Sequence, residues 1–120
     1  MSFQKVVLLG RLGGDPESKT IKSGVATNFS LATSEKWKGS DGQNQERTEW
    51  HRVVVYGKLA EICAKFLTKG SLCLVEGRIH TRQWEDKDGN VIYRTEIVAS
   101  TVQFLDSKKS DQKDEDEIPY

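Results

Sequence analysis

The stretch EWHRVVVYGKLAEICAKFLTKG, residues 49–70, decides the fold because the spacing of its apolar residues changes partway along it. Residues 49–56 have the β-branched and aromatic content of a β-strand. From residue 59 onward, apolar residues recur at i, i+3, i+4, i+7 and i+8, which predicts one stripe of an amphipathic helix. Lys69-Gly70 then supplies a cationic last turn and a glycine at which the helix can end.

The segments on both sides of this stretch predict further strands. Strand patterns cover residues 3–12, 25–34, 47–57, 71–84 and 91–105, with a possible short extra strand at 19–22. Asp88-Gly89 predicts a hairpin turn between the last two strands, and the polar residues 35–46 predict a flexible loop. The order strand, strand, strand, helix, strand, strand predicts an all-β fold with one helix. This is the OB-fold, a five-stranded Greek-key barrel with its helix between strands 3 and 4, which binds oligonucleotides.

Charge divides the 120 residues into two parts. Residues 1–105, the predicted domain, carry 15 Lys and Arg against 12 Asp and Glu, whereas residues 106–120 carry 3 against 6. The second part has no periodicity and predicts a short disordered acidic tail. A mildly basic body with an acidic tail suggests a polyanionic partner.

Hydropathy predicts a cytoplasmic protein, and this compartment bears on the interpretation of the two cysteines. No apolar run approaches the roughly 18 residues of a membrane span, and MSFQKVVLLG is interpreted as a first strand rather than a signal peptide. Cys63 and Cys73 lack the spacing of a zinc site. Buried free thiols are favoured over a disulfide in that compartment.

Alternation along two strands separates an inner from an outer face. The residues expected to point inward are His51, Val53, Val55, Cys73, Val75, Gly77 and Ile79. Those expected to point outward are Trp50, Arg52, Val54, Tyr56, Arg78, His80, Arg82 and Trp84.

Each tryptophan, and Tyr56, has a cation one or two residues away, a combination suited to single-stranded nucleic acid. Bases stack on aromatic faces whatever their identity, and lysine or arginine follows the phosphates. The candidate stacking residues are Trp37, Trp50, Tyr56 and Trp84, and the candidate phosphate or groove residues are Lys36, Lys38, Arg52, Arg78 and Arg82. The alternative is that the aromatics are ordinary core residues and the cations a solvated face.

Catalytic patterns are weak. The two histidines are His51 and His80, and Asp86 and Asp88 fall in a turn whose spacing does not suit a calcium loop. The early glycines do not form a phosphate-binding loop. We therefore predict no enzyme activity and no metal site.

The last seven residues call for a separate interpretation. They are Asp114, Glu115, Asp116, Glu117, Ile118, Pro119 and Tyr120. A solubilising acidic tail is one interpretation. Solubility does not require the apolar ending, so docking into an apolar partner pocket with a basic rim is an alternative. Competition between the acids and DNA for the basic groove is another.

Four segments resemble the bacterial single-stranded DNA-binding proteins: VVLLGRLGGDPE, NFSLATSEKWK, TEWHRVVVYGKLAEICAKFLTKGS and VEGRIHTRQWEDKDGN. The resemblance runs from about Phe3 to Leu105 and resumes at the last seven residues. It implies an OB-fold homotetramer wrapped by single-stranded DNA, without catalysis or a required cofactor. It also implies base stacking on the four aromatic residues above, and places His51 near a subunit interface.

The resemblance further implies a nucleoid-associated protein that functions in replication, recombination and repair. In that family, the residues that match 114–120 dock onto partner proteins. Two departures stand out: the chain ends in Ile-Pro-Tyr where the family usually has Ile-Pro-Phe, and only eight residues separate Leu105 from Asp114. A protein-recruiting OB-fold adaptor and a cold-shock-like RNA-binding barrel remain as alternative functions.

Overall fold

A computed structural model describes residues 1–106 of the chain. Its elements, in chain order, are β1 (Val6–Leu12), β2 (Glu17–Ile21), β3 (Gly24–Lys38), β4 (Asn44–Tyr56), α1 (Lys58–Phe66), β5 (Leu72–Glu85) and β6 (Val91–Phe104). Within these residues no helix is long and apolar enough to cross a membrane.

Five of the strands close into a barrel. They follow the order β1-β5-β6-β4-β3, and β3 pairs again with β1 at its far end, through Arg11 with Ala32 and Leu12 with Leu31. The contact between β4 and β6 is parallel and the other pairings are antiparallel. The short β2 pairs only with β3, outside the closed ring. The predicted five-stranded OB-fold, with its helix between the third and fourth barrel strands, is confirmed.

The barrel interior is filled by small and branched side chains. Leu31, Val53, Val55 and Val75 have no solvent exposure, which agrees with the inward parity expected for the valines. The helix closes one end of the barrel, where the buried Thr27 hydroxyl donates a hydrogen bond of 2.8 Å to the carbonyl of Ala60. This bond satisfies a polar group that would otherwise be costly to bury.

Both cysteines lie in this core as free thiols. Burial raises the pKa of Cys63 to about 11. Burial is also the main cause that raises the pKa of Cys73 to about 12, with smaller contributions from Cys63 and Asp106. Both thiols therefore stay protonated near neutral pH.

Gly77 marks a place where two strands approach too closely for a side chain. A Cβ there would lie 2.2 Å from the carbonyl oxygen of Val98 on β6. The β5–β6 register shifts at this point, between Glu76 and Gly77. An irregularity of this kind interrupts the regular pairing of two strands and increases their local twist.

The prediction of a flexible loop at residues 35–46 is wrong. β3 continues to Lys38 and β4 begins at Asn44, so most of this segment is a two-stranded ribbon. A tight turn joins the strands: Gly42 has φ 82°, and Asp41 Oδ1 accepts a hydrogen bond from the Gln43 backbone. A ribbon solvated on both faces needs no apolar alternation, so its polar sequence has the same pattern as a loop.

Two further expectations need correction. Ile79 has the inward parity predicted for it but is exposed, because β5 extends past the end of the core. The tail predicted from the sequence begins at Asp106, yet the Asp106 carboxylate accepts a hydrogen bond of 2.8 Å from the Leu72 backbone and lies 3.5 Å from Arg11. The predicted disorder of the rest of the tail lies outside the described residues.

Candidate nucleic-acid interface

One outer face of the barrel collects polar and aromatic side chains from five strands, β2 to β6. The β4–β6 register sets Val54 opposite Val98, and the β5–β6 register sets His80 opposite Glu96. A groove of about 300 Å³ runs across this face. Its lining residues are Lys19, Ile21, Ala26, Asn28, Arg52, Val54, Tyr56, His80, Arg82 and Glu96.

The four candidate stacking residues are all accessible to solvent. The exposed fractions are 45% for Trp37, 61% for Trp50, 49% for Tyr56 and 40% for Trp84. Ordinary core aromatics would be mostly buried. The alternative that these rings form the core therefore does not hold, and their rings have surface on which a flat ligand could stack.

Trp50 packs against one defined place on the barrel. Its six-membered ring lies against Gly13, just after β1, where a Cβ would come within 2.4 Å of Trp50 Cζ3. Gly13 also donates a backbone hydrogen bond of 3.0 Å to Ser30 on β3. The missing side chain at Gly13 thus lets the ring lie close to the barrel while most of its surface stays exposed.

Trp84 is held by a different contact, with a cation. It lies near the end of β5, and the guanidinium of Arg94 on β6 is 5.6 Å from its ring centroid. A cation on one side of an aromatic ring is attracted by the ring's negative face. Arg94 therefore helps to hold this ring, a contact that sequence reasoning missed because it depends on the β5–β6 pairing.

Trp37 does not share a face with Trp50. Trp50 pairs with Ala32, and alternation from Ala32 to Trp37 places the two rings on opposite faces of the β3–β4 ribbon. Trp37 lies instead near the ribbon's end, where it lines a concavity of about 540 Å³ with Lys36 and Lys38. The ribbon's residues thus form a second aromatic and basic surface.

The five candidate phosphate residues fall into two groups. Arg52 and Arg82 both pair with the buried carboxylate of Glu96. Within residues 1–106, Lys36, Lys38 and Arg78 make no ion pair. Arg78 lies away from the main groove and lines a separate concavity with Ser2, Phe3 and Gln4.

Glu96 is the charged residue at the centre of this face's ion pairs, and sequence reasoning missed it. Its outward parity on β6 is readable from the sequence, but a lone glutamate in a strand gives no sign that two arginines converge on it. That convergence depends on the parallel β4–β6 contact, and no local pattern encodes this register.

His51 has the inward parity of the valines but lies where the core ends. It is half-buried, pairs with Leu31, and its Nε2 forms a hydrogen bond of 2.8 Å with the Thr33 hydroxyl. β4 therefore projects past its own core at this point, as an interface position would require. The subunit contact itself stays a prediction.

In the part of the chain that the structure describes, no group of three or more acidic, histidine or cysteine side chains could hold a metal ion. The candidate docking residues 114–120 lie outside the described residues.

An OB-fold barrel with exposed aromatic rings and arginines across one face defines a class of oligonucleotide-binding domains. The model of the single-strand binding protein family matches residues 3–105, and the chain belongs to this family.

Several known proteins are similar to this chain. "Single-stranded DNA-binding protein 1" of Chlorobaculum tepidum is 53% identical over 110 residues, which cover 90% of this chain and 68% of that protein. "Single-stranded DNA-binding protein 1" of Xylella fastidiosa is 46% identical over 93% of this chain and 84% of its own length. The chain spans 61% of the length of a Neisseria meningitidis single-stranded DNA-binding protein, to which it is 49% identical.

A solved structure has a similar fold. It is described as "Plasmodium falciparum SSB complex with ssDNA" and matches with a TM-score of 0.80 at 35% identity. The match covers 88% of this chain and 97% of the other.

Proposed function

We propose that this protein binds single-stranded DNA with little dependence on sequence. Bases stack on Trp37, Trp50, Tyr56 and Trp84. Phosphates are held by Lys36, Lys38, Arg52, Arg78 and Arg82. Every base has a flat face, so stacking tolerates any sequence, whereas a duplex keeps its base faces covered.

The observation that carries the proposal is the exposure of all four rings on a barrel that also presents arginines. Large aromatic side chains left accessible on a folded domain indicate a surface with a binding partner. The relatives' names and the DNA-bound Plasmodium falciparum structure support single-stranded DNA as that partner.

A competition experiment tests the choice of ligand. A labelled single-stranded dT oligomer is bound at low salt and displaced by unlabelled dT, by the matching RNA or by duplex DNA. We expect dT to displace best, and duplex DNA to displace only at much higher concentration. Equal displacement by duplex DNA would contradict the stacking mode, and stronger displacement by RNA would favour the cold-shock-like alternative.

We further propose that residues 114–120 dock onto replication, recombination and repair proteins, while the barrel protects exposed strands without catalysis. The protein would then act in the cytoplasm, associated with the nucleoid. Four acids and an aromatic terminus suit an apolar pocket with a basic rim.

Deletion of residues 114–120 separates this role from DNA binding. Affinity for dT should persist or rise at low salt, because negative charges that compete for the groove are removed. Retention of partner proteins on the immobilised domain should be lost. Loss of DNA binding in the deletion variant would contradict this division of roles.

We also propose a homotetramer in which His51 lies near a neighbouring subunit. The projection of β4 beyond its core supports this position. His51→Ala should lower the mass measured by analytical ultracentrifugation at low protein concentration. Ser34→Ala, a nearby exposed position on β3, is the control and should keep the parent's mass. An unchanged mass for His51→Ala would remove His51 from the interface.

A further inference from the structure

Glu96 is a carboxylate buried beneath two arginines. Its side chain is 1% exposed, and its Oε2 accepts hydrogen bonds from Arg52 Nε at 3.3 Å and from Arg82 Nη1 at 3.2 Å. Its Oε1 is buried and has no hydrogen-bond partner among the described residues. Burial of a carboxylate is costly, and the cost is greater when one oxygen has no partner.

The two arginines come from different strands, Arg52 from β4 and Arg82 from β5. Two guanidinium groups repel each other. Both can lie within hydrogen-bonding distance of one oxygen only because that oxygen belongs to a negatively charged carboxylate. Their side chains are still 38% and 53% exposed. Glu96 is therefore covered by groups that themselves reach the surface of the groove.

Each arginine uses only part of its donor set on Glu96. Arg52 bonds through Nε and Arg82 through Nη1, and within residues 1–106 neither guanidinium group makes another hydrogen bond. A guanidinium has five N–H donors in a planar fork that suits phosphate oxygens. The pair therefore keeps donors for an anion in the same groove that Tyr56 lines.

We propose that Glu96 is a positioning residue that holds Arg52 and Arg82 side by side as one site for a single backbone phosphate of the bound strand. This inference rests on the proposed function and assigns separate roles within it: the arginines contact the phosphate, and Glu96 positions the arginines. Glu96 does not touch the phosphate; it fixes two donors that would otherwise separate. It also lowers the net charge of the groove, so positioning and charge have opposite effects on affinity.

Glu96→Gln distinguishes these two effects. The amide keeps the shape of the side chain but replaces charge-assisted hydrogen bonds with weaker neutral ones. If Glu96 positions the arginines, affinity for a dT oligomer should fall about tenfold, the factor that corresponds to about 1.4 kcal/mol. The slope of log affinity against log salt should become shallower by about 0.7, the value for one phosphate contact on a single strand.

If charge alone mattered, the same substitution would have the opposite result. The groove would gain one net positive charge, and binding would become tighter and more dependent on salt. Glu76→Gln is the matched control, because Glu76 is a β5 glutamate paired with Lys5 at 3.1 Å outside the groove. It should leave affinity and salt slope unchanged.

Arg82→Lys is a second variant, and it leaves the buried Glu96 carboxylate itself unchanged. It keeps the charge but loses the planar fork, and should weaken binding several-fold. Combined with Glu96→Gln it should weaken binding by less than the product of the two single effects, because both act through one site. Circular dichroism verifies that each variant folds.

The results separate the two proposals. Failure of the parent protein to bind dT at low salt would refute the proposed function itself. If the parent binds, equal or tighter binding by folded Glu96→Gln, or parental binding by Arg82→Lys, would overturn the positioning role. Fully multiplicative effects in the double variant would overturn it as well.

Discussion

Truncation of Trp50 or Trp84 should weaken binding to single-stranded DNA while leaving the fold intact. A base stacked on an aromatic side chain contributes about 1–3 kcal/mol, so each alanine variant should lose roughly 5- to 150-fold in affinity. Trp50 is 61% exposed and Trp84 is 40% exposed, so neither ring fills the barrel core. Trp50→Ala should therefore have the smaller effect on stability, since less of its surface is buried in the free protein.

The assay is fluorescence anisotropy of a labelled dT oligomer at one fixed salt concentration. Phe66→Ala is the matched control: Phe66 is also an exposed aromatic residue, but it lies at the end of α1 and packs 6.2 Å from the Phe104 ring. It should bind like the parent. If folded Trp50→Ala and Trp84→Ala also bind like the parent, the stacking assignment is wrong.

Two other predictions concern the barrel. Gly77→Ala should lower the free energy of unfolding by about 1–3 kcal/mol, because its Cβ would lie 2.2 Å from a backbone oxygen. Gly14→Ala is the control and should change the free energy of unfolding little, since a Cβ there meets nothing within 4 Å. Equal urea midpoints for the two variants would refute the predicted clash. The pKa of Cys63 is raised from 9.0 to about 11 and that of Cys73 to about 12. The unfolded chain therefore loses these thiol protons first, and stability should fall as pH rises from 9 towards 12. Between pH 8 and pH 10, the free energy of unfolding in urea should fall less for Cys63→Ala than for the parent. An equal fall would contradict the effect of thiol burial.

Periodicity was enough to predict the order of barrel strands and the helix. The helical spacing that begins at Leu59 and the alternation around Val53 are local signals, and both describe elements that the structure contains. Each of these segments buries one face, so the apolar residues record its period.

Features that depend on pairing between distant strands could not be predicted in this way. The ribbon formed by β3 and β4 beyond the core has no buried face, so its sequence carries no period. The convergence of Arg52 and Arg82 on Glu96 requires strands more than 10 residues apart in sequence to be brought together. Ile79 shows a second limit of local patterns. Alternation gives its inward parity correctly, but it does not show that the buried core ends before this residue.

The site residues differ in how far the sequence could assign them. Alternation correctly predicted that Trp50 and Tyr56 would be exposed on the outer side. Alternation does not predict that Trp37 lies on the other face of the ribbon, because the polar sequence around Trp37 predicts a loop. The side-chain types suggest the chemistry of the surface, whereas the strand register determines which of them can act together.

Titration of the intrinsic tryptophan fluorescence with poly(dT) tests the central claim most directly. At low salt, single-stranded DNA should quench the fluorescence to a saturating value, because bases stack on the exposed indole rings. Added salt should then reverse the quenching as phosphate contacts weaken. An unchanged fluorescence in low salt, with the protein folded and its mass verified in solution, would contradict the account.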